Sequence, residues 1–86
     1  ADEGLSLAIE QYLSNYFARH QSSLPPDGLH QRLLETVERP LLRATMVAVR
    51  GNQIRAAKLL GINRNTLRKK LVDLGIDPAL GRGGKV

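Results

Sequence analysis

Seven of the eight residues in the run Asn63 to Lys70, NRNTLRKK, carry side-chain hydrogen-bond donors, and four of them are cationic. Arginine presents a planar fork of donors that matches O6 and N7 of guanine. Asparagine pairs with adenine, and lysine is a point charge suited to a phosphate oxygen. At about 100° per residue of helix, Leu67, Leu71 and Leu74 gather on one side of such a segment. Asn65, Arg68 and Lys69 point roughly opposite, with Thr66 and Lys70 on a flank. Asn63 and Arg64 lie at the N-terminal tip, the end from which a recognition helix touches base edges. The spacing therefore predicts a helix that reads duplex DNA. Arg64 and Arg68 are assigned to guanine, Asn65 to adenine, and Lys69 and Lys70 to phosphates. Upstream, Asn52, Gln53 and Arg55 can bring backbone N–H groups and side chains to a phosphate.

Such a helix must be held at a steep angle by a partner, and the stretch GNQIRAAKLLGINRNTLRKKLVDLG from Gly51 to Gly75 supplies one. A helix-turn-helix needs a small residue where the helices cross, a glycine at the turn and a large aliphatic that plugs back. Ala57, Gly61 and Leu67 meet these demands in that order, and Leu59, Leu60, Ile62, Leu71 and Leu74 are expected to complete a small core. Asn52 and Asn63 are placed to cap helices over about 53–60 and 64–74 through their side-chain oxygens.

Charge follows the same division. Residues 1–49 carry a balance of −2, residues 50–86 a balance of +7, and no acid lies between Arg50 and Val72. A polyanion would thus meet the C-terminal half. The chain has no cysteine, which excludes disulfides and thiolate metal sites. It has no long apolar run or basic-then-apolar start, so no membrane span or signal peptide is expected and a cytoplasmic location is. His20 has no second ligand at metal spacing, and neither a metal nor another cofactor is expected. Without a phosphate loop, a His–carboxylate cluster or an activated nucleophile, the chain is not expected to be an enzyme. Ala1 in place of methionine suggests a piece of a longer product.

Eighty-six residues suit one small domain, which buries only roughly 60–65% of its unfolded surface and is marginal alone. Its expected parts are dimerisation helices over 5–50, a helix-turn-helix over 51–76 and a flexible basic tail over 77–86. Leu5, Ala8, Ile9, Tyr12, Leu13, Tyr16 and Phe17 follow helical spacing through His20, and this stripe holds all three aromatics. QSSLPPDG (21–28) breaks the helix and reverses the chain, with Asp27 placed to cap the next. From Gly28 to Arg50, Leu29, Leu33, Val37, Leu41, Ala44 and Ala48 form one stripe, and Leu34, Leu42, Thr45, Met46 and Val49 an adjacent one. So wide an apolar arc must be covered on more than one side. The first helix and the helix-turn-helix can cover part, and the same helix of a second subunit the rest. The dimer residues are accordingly Leu5, Ile9, Tyr12, Leu13, Tyr16, Phe17, Leu33, Leu34, Val37, Leu41 and Leu42. Pro40 costs about 3 kcal/mol in an ordinary helix interior. One kinked helix keeps the apolar phase across it; two helices with a turn at Glu38–Pro40 are the alternative.

The motif GNQxxAAxxLGINRNTLRKK closely resembles the DNA-binding end of the NtrC nitrogen-regulation response regulators and, more distantly, the nucleoid protein Fis. The likeness extends back through LPPDGLHQRLLETVERPLL, so residues 25–76 carry it. It implies an all-α, four-helix Fis-like domain whose first two helices form a dimer bundle. Two helix-turn-helix units would then occupy successive major grooves of a pseudo-palindromic site. Carried over by position, Asn63, Arg64, Thr66, Arg68 and Lys69 would contact DNA from the fourth helix, with Asn52, Gln53 and Arg55 at the third. In full-length proteins of that kind, receiver and ATPase domains precede this one and sigma-54 polymerase is the target. With no strand-like arm read ahead of the first helix, the hairpin extensions of Fis are not expected, and residues 78–86 match nothing in the family pattern. Two other classes stand beside a sequence-reading regulator: an architectural protein that bends DNA, and a pure dimerisation module, which would not need the acid-free basic stretch.

Overall fold

The computed structural model describes residues 2–20 and 23–83, so Gln21 and Ser22 of the breaker run and residues 84–86 of the tail lie outside it. Four helices follow one another: α1 Glu3–Ala18, α2 Leu29–Ala48, α3 Gln53–Leu60 and α4 Arg64–Asp73. No strand occurs among the described residues. The Asp2 carboxylate caps α1 by accepting the Leu5 amide at 2.9 Å. Helix α2 begins otherwise than expected. Gly28, not Asp27, is its N-cap, in a left-handed conformation and without a side-chain hydrogen bond. The Asp27 contribution is instead its backbone carbonyl, which accepts from the Arg32 guanidinium.

Pro40 lies inside an unbroken α2, which excludes two helices with a turn at Glu38–Pro40. The continuity has a packing cause. Leu42, Thr45 and Met46, just beyond the proline, are buried, so ending the helix at Arg39 would cost the core its longest contributor. That core joins Leu42 and Met46 of α2 to Ala56 and Ala57 of α3, Leu67 and Leu71 of α4, and Leu74 and Ile76 beyond it. Val49, Leu60, Ile62 and Leu80 pack around its edge. Met46, Leu67 and Leu71 are its largest fully enclosed side chains.

Three expectations are corrected here. Leu42 is only 2% exposed within the single chain, so it belongs to the core and not to a dimer surface. Leu59 is 63% exposed; it falls on the outer side of α3, one residue out of phase with the buried Ala56 and half-buried Leu60. The segment from Asp77 is not a free tail through residue 83. It turns back on itself, and Leu80 reaches the core.

The chain reverses between α1 and α2, and α1 returns along the first half of α2. The Tyr16 hydroxyl accepts from Arg32 at 3.1 Å, Phe17 shares a concavity with Pro25 and Leu29, and Ile9 shares one with Leu33 and Val37. Yet α1 has no buried residue. It does not close over α2, and the apolar faces of both remain open.

Candidate nucleic-acid interface

The turn between α3 and α4 is built by residues that leave no freedom in the angle. Gly61 ends α3 at φ 75°, a left-handed conformation that a side chain opposes. Its amide and that of Ile62 both donate to the Ala57 carbonyl, at 2.8 and 3.0 Å, closing the last turn. Asn63 then caps α4 by accepting the Asn65 amide at 2.7 Å, and Asn52 caps α3 by accepting the Arg55 amide at 3.1 Å. Ala57, at 5% exposure, leaves room for the fully buried Leu67. With Leu67 and Leu71 facing inward, Arg64, Asn65, Thr66, Arg68 and Lys69 are all exposed.

Arg64 and Arg68 stand one helical turn apart and line a single open concavity with Gln53 and Asn52 at the start of α3. Neither arginine belongs to an ion pair among the described residues. Their guanidinium forks are thus free for an incoming ligand, a need base-edge recognition imposes. Asn52 and Asn63 have spent their oxygens on caps, which leaves each an NH2 donor group. Arg55 is exposed beside them. Lys69 meets Asp73 at 3.2 Å in an exposed i, i+4 pair, a contact of small energy that a phosphate can displace.

Lys70 is placed differently from its phosphate assignment. Its ammonium lies 2.8 Å from the Glu38 carboxylate, and both side chains are about one-third exposed (35% and 32%). Here it ties α4 to α2. Arg39, next along, donates from Nε to the Leu74 carbonyl at 3.4 Å. Sequence periodicity put Lys70 on a flank without revealing that Glu38 would stand opposite, since that pairing depends on the crossing of two helices.

Two residues missed by sequence reasoning complete the basic surface. Arg50 and Arg82 line the same concavity as Arg64 and Arg68. Arg50 holds φ 55°, the single left-handed non-glycine conformation among the described residues. Its place immediately before Gly51 was the available signal. Nothing in the glycine-rich composition around Arg82 could have shown where the segment docks.

Residues 33–73 match the family model described as bacterial regulatory protein, Fis family. The chain is 45% identical over 73 residues to the DNA-binding protein Fis of Buchnera aphidicola, an alignment covering 85% of this chain and 74% of that protein. This chain belongs to the Fis family. Its α3 and α4 form the helix-turn-helix of that family. Within the Fis family it is also similar to the DNA-binding transcriptional regulator NtrC of Azospirillum brasilense, 56% identical over 79 residues. The NtrC of Bradyrhizobium sp. is 55% identical over 74 residues. Those alignments cover 92% and 86% of this chain but 16% and 15% of the two NtrC proteins. The chain therefore spans about a sixth of the length of these relatives. The Fis match begins at Leu33, inside α2, and ends at Asp73, the last residue of α4.

Proposed function

We propose that this chain is the sequence-reading end of a homodimeric regulator of nitrogen metabolism, acting on a pseudo-palindromic DNA site through successive major grooves. The observation that carries the reading is the pair Arg64 and Arg68. Both are exposed and unpaired by any carboxylate among the described residues, and they line one open concavity with Asn52 and Gln53 at the start of α3. Asn65 and Thr66 flank them, and Asn52, Gln53 and Arg55 serve the phosphates. The nitrogen role rests on the NtrC likeness. On that basis the chain works in the cytoplasm, attached to receiver and ATPase domains that engage sigma-54 polymerase.

Dimerisation is supported by the open apolar face. Leu34, Val37 and Leu41 expose 49%, 40% and 49% of their surfaces, and Leu5, Tyr12 and Phe17 about half. Half-buried Ile9, Leu13, Tyr16 and Leu33 continue that face. A second subunit that covered it would remove from water an apolar surface worth about 25 cal/mol per Å². We assign this face to self-association.

A second reading is favoured by the Fis likeness, which spans most of that protein's length: an architectural role in which DNA deformation outweighs base contacts. Selection of bound sequences from a random duplex pool separates the two. A two-fold symmetric consensus supports the regulator. Recovery of A·T-rich flanks without a base-specific core would replace it with the architectural role.

A further inference from the structure

The turn from Asp77 to Arg82 serves neither the angle of the helix-turn-helix nor the open apolar face. It is nevertheless a built element. Asp77 accepts the Ala79 amide at its carboxylate and the Leu80 amide at its carbonyl, both at 2.9 Å, and the Arg82 amide donates to the Ala79 carbonyl at 2.9 Å. Leu80 packs against the edge of the core. Gly81 lies on the end of α2 so closely that a Cβ there would stand 2.6 Å from the Met46 carbonyl oxygen. Only glycine permits that approach. Arg82 in turn covers Gly51, where an added Cβ would stand 2.8 Å from its own, and its Nη2 donates to the Gly51 carbonyl at 3.3 Å.

The effect is to carry one more cation to the junction of α2 and α3. Arg82 there joins Arg50, Arg64 and Arg68 around one open concavity. Neither ion pair among the described residues includes any of the four. Four guanidinium groups that converge without a carboxylate repel one another, and a row of phosphates relieves that repulsion. The single bond to Gly51 fixes the head of Arg82 while leaving most of its five donors free.

We propose that the Asp77–Arg82 turn is a phosphate clamp, in which Arg82 grips the backbone of the DNA strand running past the start of α3 beside the recognition helix. The inference rests on the DNA-binding reading above and adds to it a contact from outside the helix-turn-helix. Because it grips backbone, the clamp strengthens binding to every duplex alike.

A salt series tests it, with the 86-residue chain titrated into mixed-sequence duplex DNA by fluorescence anisotropy and thermal unfolding followed in parallel. Each phosphate contact contributes about 0.9 to the slope of log K against log salt. Arg82→Gln keeps a donor for the Gly51 carbonyl but removes the charge. It should lower the slope by about 0.9 per subunit at an unchanged unfolding midpoint, and Arg82→Lys should keep the parental slope. Two results overturn the clamp and leave the helix-turn-helix reading intact: a parental slope for Arg82→Gln, or equal losses for both variants with a lowered midpoint. A parent chain without salt-dependent affinity for any duplex would refute both the clamp and the DNA-binding reading beneath it.

Discussion

Leu67 and Arg68 are adjacent in sequence and opposite in consequence. The first is fully enclosed between α3 and α4, and the second faces solvent. Leu67→Ala should destabilise the domain by about 2–5 kcal/mol through lost burial and a residual cavity, measurable by urea unfolding. Arg68→Ala should leave unfolding unchanged and weaken binding to the selected site by about 1–3 kcal/mol. An equal loss on random duplex would show that Arg68 does not read a base. Lys70 behaves as neither. Its partner is Glu38, 2.8 Å away, so Lys70→Ala should lower stability by about 0.5–1 kcal/mol and leave the salt slope of DNA binding unaltered. A slope reduced by about one unit would return Lys70 to the phosphate contacts.

Helices α3 and α4 were legible in the sequence because their signals are local. Each start has an asparagine cap, the turn has its glycine, and the one-signed charge marks the outer face. Legibility failed where position depends on what lies opposite. Leu42 reads as part of a wide apolar arc, but nothing in α2 itself says which edge of that arc meets α4 and which meets water. Leu59 reads as core because α3 is too short for periodicity to separate it from Leu60. The Asp77–Arg82 turn reads as a tail because its docking depends on the Met46 and Gly51 backbones, which no pattern within the turn encodes. Within α2 the two edges should be separable by mutation. Leu41→Asp, on the exposed edge, should yield a monomer in analytical ultracentrifugation with the helical content of the helix-turn-helix retained. A persistent dimer would assign self-association to another surface.

At the scale of the whole molecule the chain is elongated, with extents of 49 × 27 × 26 Å. Its core is gathered around the C-terminal half of α2, while α1 and the first half of α2 bury little. The reading unit therefore has its own packing and does not borrow it from the association face. Amides of Met46, Leu67 and Leu71 should exchange slowly even in a dilute chain, while those of α1 exchange fast until a second subunit binds. Protection of α1 equal to that of α4 in a monomer would contradict this division.

Glu38 and Arg39 sit between the two territories, one holding Lys70 and the other the Leu74 carbonyl. In a two-fold assembly these ties would be the rivets of a caliper: they touch no base, yet they fix where each jaw stands along the duplex. Loosening them with Glu38→Ala should leave the preferred letters of each half-site intact while broadening the range of gaps between half-sites that the protein accepts. Distance along the DNA, as much as its sequence, would then be written in a single ion pair and a single carbonyl.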